Sequence, residues 1–329
     1  MDRFALFLLT GLASAFLVAP AHAQLARTYV SAVVGNDDND CNRLTPCRTF
    51  QGAHDKTLAQ GEITVLDPGG YGAVTITKAI SIINDGVGEA GILVSGGGRG
   101  ITISAGASDT VSLRGITIKG IDADQPRIFA TPGNNGIVFY SGRALAIENC
   151  VVRSFISNNP FANPRPAGIN FAPFGSSTLA VSDTVVTDST YGIIVGSQAR
   201  DSDVITATLS RVGLYNNGFG FEANGSLPVT RLTTITATIA DSIASNNGVG
   251  VAADPGQVTV TITRSTIAGN STGLRAEALV RIGETTISGN GDGWIVPSGI
   301  GNGAIQSYGD NRLAGNRANE GPMPVIPTK

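Results

Sequence analysis

The sequence predicts an all-β fold in which the chain winds into a stack of similar coils, a β-solenoid. The first observation is a repeated Asn-x-x-Gly pattern followed by an apolar residue, found at Asn217 to Gly220, Asn247 to Gly250, Asn270 to Gly273 and Asn290 to Gly293. The second is a set of short runs that alternate with period two, as strands do, at 205–209, 235–239 and 258–262. Successive glycines of the pattern lie 20 to 30 residues apart, which is a typical solenoid period.

Equivalent positions of successive coils form columns, and columns that were not used to define the repeat also contain similar residues. An apolar residue stands three positions before each asparagine, at Leu214, Ala244, Ile267 and Ile287. Equivalent residues of stacked coils lie about 4.8 Å apart, so the asparagine column predicts an inward ladder of amide hydrogen bonds. We interpret these asparagines as structural rather than as calcium or ligand contacts.

A charged column alternates in sign from coil to coil: Asp183, Arg211, Asp241, Arg264 and Glu284. Opposite charges at this spacing attract, so the column is expected to hold the register of the coils. An acid and base pair of Asp183 and Asp241 is the alternative. It is disfavoured because Arg211 lies between them in the stack and keeps both ionised.

The composition excludes several classes of function. The chain has 329 residues, 43 glycines, 14% charged residues and a formal net charge of −3, so nothing attracts nucleic acid. Residues 1–23 have the basic start, apolar run and small-residue cleavage site of a signal peptide, so we expect a protein that is secreted, periplasmic or on the cell surface. No other stretch is apolar for long enough to predict a membrane span.

The repeat divides the rest of the chain into three segments. Residues 24–61 do not fit the coil frame and are interpreted as an N-terminal cap, with a short helix at 49–60 that presents Phe50, Ala53 and Leu58 to the open end of the stack. The coils occupy 62–316. The proline-containing tail at 317–329 is expected to be flexible.

The few cysteines and histidines limit the chemistry. Export favours a disulfide between Cys41 and Cys47, with two free or metal-seeking thiols as the alternative. Cys150 falls in a column of small residues and is assigned no chemistry. His54 is the only histidine after residue 23, so a histidine-based triad inside the coils is excluded.

No cofactor and no catalytic metal are predicted. The acidic segment at 37–40 leaves open a structural calcium ion, with a hydrated turn as the other interpretation, since its spacing is not that of an EF-hand.

Two long insertions, at 122–135 and 156–167, interrupt consecutive coils between the asparagine column and the next glycine. They should leave the same turn and lie side by side, and loops on a rigid scaffold are where binding residues concentrate. The candidate ligand-binding residues on them are Asp122, Asp124, Arg127, Phe129, Phe161 and Arg165. The alternative is a pair of proline-rich loops that only cover a strand face.

A second candidate site follows the glycine strand, where Asn224, Asp254 and Glu277 share a column. Adjacent carboxylates such as Asp254 and Glu277 can raise one pKa enough for acid catalysis, or can bind a divalent cation. A solvated loop edge is the other interpretation.

The Asn-x-x-Gly-apolar turns resemble those of right-handed parallel β-helix proteins of the pectate-lyase-like superfamily. The segments CNRLTPCRTF at 41–50 and DPGGY at 67–71 are similar to those of secreted bacterial members of unassigned function. The resemblance implies three parallel sheets around one narrow core. The hydrolase, methylesterase and lyase motifs of the superfamily are not found in full.

Three functions therefore stay open, because a fold alone does not specify one. The first is an exported scaffold that binds an extended partner such as a polysaccharide or another cell-surface component. The second is a polysaccharide lyase or glycoside hydrolase with an atypical site. The third is a structural or adhesion protein. Neither the ligand nor the oligomeric state follows from the sequence.

Overall fold

The computed structural model describes residues 25–121, 135–156, 165–198, 202–225, 233–299 and 301–327, and the expected signal peptide lies outside them. These residues form thirty strands and one helix, and the strands belong to three parallel sheets. Each coil contributes one strand to each sheet in turn, so the predicted all-β fold with a short N-terminal helix is confirmed. Within the described ranges, no helix is both long enough and apolar enough to cross a bilayer.

The first sheet, here the A sheet, contains β1 (Leu25–Val30), β2 (Thr57–Val65), β5 (Ile80–Ile83), β8 (Thr110–Arg114), β11 (Ala144–Glu148), β14 (Ser177–Ser182), β17 (Val204–Ser210), β20 (Thr234–Ala240), β23 (Gln257–Thr263), β26 (Leu279–Gly283) and β29 (Ala304–Ser307). The B sheet contains β3 (Gly69–Gly70), β6 (Ala90–Val94), β9 (Ile116–Gly120), β12 (Val151–Arg153), β15 (Val185–Thr187), β18 (Gly213–Tyr215), β21 (Ile243–Ser245), β24 (Thr266–Ala268), β27 (Thr286–Ser288) and β30 (Arg312–Ala314). The C sheet contains β4 (Val74–Ile76), β7 (Arg99–Ser104), β10 (Asn135–Ser141), β13 (Ala167–Phe171), β16 (Tyr191–Val195), β19 (Phe219–Ala223), β22 (Val249–Ala253), β25 (Thr272–Ala276) and β28 (Asp292–Ile295).

One continuous core runs through the middle of the stack, because alternate residues of every strand point inward. The register matches the columns predicted from the sequence: Leu214 pairs with Ala244, which pairs with Ile267, which pairs with Ile287. Burial of each such aliphatic side chain stabilises the fold by about 1.5–3 kcal/mol. The core is therefore built from repeated layers rather than from one centre.

The asparagine column forms the predicted amide ladder. Asn247 Nδ2 donates to Asn270 Oδ1 at 3.0 Å and to Leu214 O at 3.0 Å, and Asn247 Oδ1 accepts from the backbone N–H of Asn217 at 2.9 Å. The glycine of the repeat is required by the same crowding, since a Cβ on Gly220 would lie 2.6 Å from the carbonyl oxygen of Gly250. The repeated Asn-x-x-Gly pattern thus satisfies buried backbone groups at a corner of every coil.

A second ladder is made of hydroxyl groups at the turn from the A sheet to the B sheet. Ser265 Oγ accepts from the backbone N–H of Ser242 at 3.1 Å, and Thr184 Oγ1 accepts from that of Cys150 at 3.2 Å. Burial raises the pKa of Cys150 to about 11, so its thiol stays protonated. The prediction that Cys150 is a small stacked residue without chemistry agrees with this position.

The charged column lies at the same turn, and all five of its residues have a positive φ of 46° to 54°. Arg211 binds Asp183 through Nε at 2.6 Å and Nη2 at 2.7 Å, and Arg264 binds Asp241 at 2.8 and 2.9 Å. These arginines hold the pKa values of Asp183 and Asp241 below their usual range, chiefly by side-chain hydrogen bonds. The column therefore contains two bidentate pairs, and both aspartates are kept ionised as expected.

The N-terminal segment contributes a strand as well as a lid. Strand β1 pairs with β2 and so belongs to the A sheet, and helix α1 (Phe50–Lys56) packs against the end of the stack. Phe50 and Ala53 are buried as predicted, but the prediction for Leu58 is wrong: it is 42% exposed. The helix ends at Lys56 because β2 begins at Thr57, and pairing with β1 outweighs the helical pattern.

Two polar side chains of α1 terminate the C sheet. Gln51 Oε1 accepts from the backbone N–H of Thr75 at 2.8 Å, and His54 Nε2 accepts from that of Thr77 at 3.2 Å. These are amides at the unpaired edge formed by β4. The helix thereby blocks an edge that is otherwise open to another strand.

The predicted disulfide between Cys41 and Cys47 is present, and both residues are buried. The acidic segment before it makes hydrogen bonds within the cap. Asp37 Oδ1 accepts from the backbone N–H groups of Arg48 and Thr49 at 2.8 and 2.9 Å. A structural calcium ion at residues 37–40, one of the two interpretations of the sequence, stays a prediction.

The C-terminal tail is attached to the last coil through residue 326. Met323 is buried against the core, and the backbone N–H of Ile326 donates to Ser307 O at 2.8 Å. Glu320 accepts hydrogen bonds from the backbone and side chain of Asn316, which ends the amide ladder. The tail expected to be flexible therefore closes this end of the stack over its described part.

Candidate functional site

The two insertions leave the same corner of consecutive coils, as predicted, between β9 and β10 and between β12 and β13. Five of the six candidate binding residues lie outside the described part of the chain, namely Asp122, Asp124, Arg127, Phe129 and Phe161. Arg165 is described, and it lies just before β13 at the edge of the outer face of the C sheet. Its contacts lead to the candidate site.

Arg165 forms an ion pair with a carboxylate that the sequence analysis did not single out. Its Nη1 lies 2.7 Å from Oε1 of Glu222, which points outward from β19 and is only 1% exposed. A buried carboxylate is costly without partners, and this one has two donors, since Asn224 Nδ2 also donates to Oε1 at 2.9 Å. Glu222 is the centre of the cluster.

Asn224 connects Glu222 to Asp254 of the next coil. The same amide nitrogen donates to Asp254 Oδ2 at 3.0 Å. Asp254 is the equivalent of Asn224 one coil further, because the backbone N–H of Asp254 donates to Ala223 O, as that of Asn224 does to Val195 O. The predicted column of Asn224, Asp254 and Glu277 is therefore present, and Glu222 connects it to Arg165.

The carboxyl groups of Glu222 and Asp254 share one environment, since both accept from Asn224 Nδ2. Burial, and then the charge of Asp254, raise the pKa of Glu222 to about 7, against the lowering effect of Asn224 and Arg165. A hydrogen bond between Glu222 and Asp254 also favours the protonated acid. Glu222 therefore exchanges its proton near neutral pH.

Asp254 and Glu277 do not form the adjacent carboxylate pair that the sequence predicted. Arg275 lies between them, with Nη2 2.7 Å from Asp254 Oδ1 and Nε 3.3 Å from Glu277 Oε1. Burial disfavours its charge, but the hydrogen bond and charge of Asp254 raise the pKa of Arg275. The acid pair is therefore Glu222 with Asp254, and Glu277 neutralises Arg275.

Two aromatic rings lie beside the charges on the outer face of the C sheet. Tyr191 and Phe219 are equivalent residues of β16 and β19, and their rings stack with centroids 5.1 Å apart and planes 14° apart. The guanidinium carbon of Arg165 lies 5.4 Å from the Tyr191 centroid, and that of Arg275 lies 5.0 Å from the Phe219 centroid. We call the set of eight residues the C-face cluster: Arg165, Tyr191, Phe219, Glu222, Asn224, Asp254, Arg275 and Glu277.

Sequence analysis missed Glu222, Arg275, Tyr191 and Phe219. A usable signal exists at Glu222 and Arg275, since each is a charged residue inside an otherwise apolar strand of the glycine repeat. Both occupy the outward column two positions after the glycine. The aromatic residues directly precede the glycine in the same repeat.

Among the residues that the structure describes, no group of three or more His, Cys, Asp or Glu side chains is placed to hold a metal ion. The carboxylates of the C-face cluster are separated by Asn224 and Arg275, which donate hydrogen bonds to them. The chemistry that this cluster offers is hydrogen bonding, ring stacking and proton exchange.

Comparisons with known proteins bear on the fold. No family model matches the sequence, and no curated protein does so. Among solved structures, the chain is similar to pectate lyase Pel9A, with a TM-score of 0.62, 15% identity, and coverage of 94% of this chain and 81% of that one. The fold is the right-handed parallel β-helix.

Two further structures have lower scores. The A-module of the Azotobacter vinelandii mannuronan C-5 epimerase AlgE4 is 15% identical over 81% of this chain and 88% of its own, with a TM-score of 0.45. A rhamnogalacturonan lyase is 12% identical over 88% of this chain and 86% of its own, with a TM-score of 0.44. The site has to be interpreted from its own residues.

Proposed function

We propose that the protein is exported and binds an extended polysaccharide across the outer face of the C sheet, at the C-face cluster. The observation that carries this proposal is the stacked pair Tyr191 and Phe219, bracketed by two arginines and bordered by carboxyl and amide groups. The two rings cover each other's inner faces and the two guanidinium groups cover the outer ones, so the rings offer their apolar edges to a sugar ring, and neighbouring polar groups bind its hydroxyls. The disulfide in the cap favours export.

Because the charged groups of the cluster already neutralise one another, the cluster favours a ligand that is held by apolar contacts with the rings and by hydrogen bonds to its hydroxyl groups. Arg165 and Arg275 are already paired with Glu222 and Asp254 within the protein. An anionic sugar must therefore compete with these carboxylates. A sugar carboxylate at Arg165 would have to displace Glu222, so we propose a ligand whose binding persists at high salt.

A binding assay with matched variants tests the proposal. The wild-type protein and Phe219→Ala are titrated against immobilised neutral and acidic polysaccharides at low and high salt. Tyr215→Ala is the control, because Tyr215 lies in the same coil but on the B sheet. We expect Phe219→Ala to weaken binding and Tyr215→Ala to leave it unchanged, with equal melting temperatures. Equal binding by both variants contradicts the assignment of the site.

A second function, cleavage of the bound chain, is favoured by one observation, the link between the buried Glu222 and Asp254 through Asn224. Burial raises the pKa of Glu222 to about 7, and a carboxylic acid that is protonated near neutral pH is suited to give a proton to a glycosidic oxygen. Arg165 and Asn224 position Glu222 for this role.

Glu222→Gln separates binding from cleavage, because the amide keeps the size of the side chain but loses the proton. If the protein is a hydrolase or lyase, wild-type protein releases reducing or unsaturated ends and the variant binds without releasing them. If wild-type protein binds a polysaccharide and leaves its length unchanged, the cluster is a binding site only.

A further inference from the structure

A second aromatic group lies outside the C-face cluster, on the coils of β10 and β13, which directly precede the coils of Tyr191 and Phe219. Tyr140 and Phe174 have ring centroids 6.2 Å apart and planes 30° apart, and the guanidinium carbon of Arg99 lies 5.6 Å from the Tyr140 centroid. Phe174 is 59% exposed, which is unusual for a phenylalanine. The combination of two rings and an arginine matches that at Tyr191 and Phe219.

The position of this group follows from the register. Phe139 pairs with Phe171, and the backbone N–H of Ala172 donates to Phe139 O, just as that of Asn224 donates to Val195 O. Tyr140 is therefore the first member of the column that continues through Ala172 and Gly196 to Asn224 and Asp254. It lies three steps from Asn224, or roughly 14 Å at about 4.8 Å per step.

We propose that Tyr140 and Phe174 form a second sugar-ring platform for the same bound chain, which then runs obliquely across the outer face of the C sheet from this platform to Tyr191 and Phe219. This inference rests on the proposed polysaccharide binding. The residues of this column between Tyr140 and Asn224 of the C-face cluster, Ala172 and Gly196, have the smallest side chains, so the column places no bulky group between Tyr140 and the cluster.

The chemistry of the second platform fits this ligand class. The exposed Phe174 ring has an apolar face free for stacking, and Arg99 supplies N–H donors for hydroxyl oxygens beside it. Two platforms on one rigid scaffold are engaged together only by a ligand that is long enough to reach both. The platform therefore contributes to the affinity for long chains and not to that for short ones.

The test uses a glycan array that displays neutral and uronate-containing oligosaccharides of increasing length, from disaccharide to decasaccharide. The full-length mature protein, Phe174→Ala, Phe174→Tyr, Phe219→Ala and the control Tyr215→Ala are compared at equal concentration. We expect Phe174→Ala to weaken binding of the long members by roughly 2- to 12-fold and to leave the short members unchanged. Phe174→Tyr should restore the affinity for long chains.

The outcomes separate the two proposals. If Phe219→Ala loses binding while Phe174→Ala binds every length as the wild type does, the second platform is wrong and the C-face cluster stands. If the wild type binds no member of the array, the proposed function and the platform both fail. If light scattering shows that Phe174→Ala converts a dimer into a monomer, the exposed ring serves self-association and the inference is overturned.

Discussion

An inner asparagine of the ladder such as Asn247 makes side-chain hydrogen bonds to the coils on both sides of its own, so its contribution is larger than that of an ordinary surface amide. Asn247 takes part in hydrogen bonds with Asn217, Leu214 and Asn270, all of them buried. A buried backbone group without a partner costs about 1–3 kcal/mol. The amide column is therefore a main reason why the coils keep one register.

We predict that Asn247→Leu lowers the free energy of unfolding by about 2–5 kcal/mol, because the side chain keeps its size but leaves buried partners in two neighbouring coils without a hydrogen bond. Chemical denaturation followed by circular dichroism measures the change. Ser245→Ala, in the same coil and half-buried on β21, is the control and should lie within about 0.5 kcal/mol of wild type.

The charged column predicts a smaller, salt-dependent effect. Arg264→Gln removes the bidentate contact with Asp241, whereas Arg264→Glu places a negative charge between Asp241 and Glu284 in the stack. The melting temperature should fall further for the glutamate variant, and the difference between the variants should shrink in high salt. Equal melting temperatures at low salt mean that the column does not act as a ladder.

The cap helix shows how a single element ends a sheet. His54 is buried, and burial lowers its pKa below the ordinary 6.5, so the folded state favours the neutral ring that accepts from Thr77. The groups that face it are Asp55, whose Oδ1 lies 3.0 Å from Nδ1, and Lys78, whose charge also lowers the pKa. Protonation of Nε2 removes the acceptor for the edge amide.

This contact predicts that the cap loses stability in acid. Below the unfolded pKa the unfolded chain binds more protons at this site than the folded one, so stability decreases as the pH falls from about 6.5 through the lower folded pKa. Hydrogen exchange at Thr77 should report the loss. His54→Gln should remove this pH dependence, whereas Gln51→Ala should weaken the cap equally at every pH.

The elements also show what sequence patterns could and could not predict. Strand positions in the repeat were predictable, since many coils carry the same columns and errors in one are corrected by the others. Leu58 was placed wrongly because the helical pattern continues through residues that pair as β2. The pairing partner, β1, precedes the cysteines and gives no repeat signal.

The same contrast holds for the whole molecule. The solenoid and its core were predictable because their residues repeat from coil to coil. The residues of the C-face cluster do not repeat in this way. Glu222 and Arg275 meet only because the coils are stacked in one register, and their separation of 53 positions in the chain carries no local signal. Asp254 and Glu277 were identified from their column, yet their true partners were not.

The buried acid pair predicts a second, opposite effect of pH on the stability of the molecule. The pKa of Glu222 is raised from 4.5 to about 7 in the folded state, so its favourable contribution is complete below the unfolded pKa and is lost as the pH rises towards 7. Glu222→Gln should flatten the decrease in melting temperature between about pH 4.5 and 7. Glu62→Gln, at a half-exposed ion pair, should leave that decrease unchanged.

The amide ladder has a consequence for how such a chain changes over generations. The hydrogen bonds of each rung are completed by the coil that follows it, so an insertion or deletion preserves the ladder only when it adds or removes one whole coil. Shorter insertions are confined to corners such as those after β9 and β12. Arg165, Tyr191, Glu222, Asp254 and Arg275 come from five successive turns. Deletion of one of these turns would leave a shorter stack with its ladder intact and its charge network broken, so the architecture and the C-face cluster can change independently of each other.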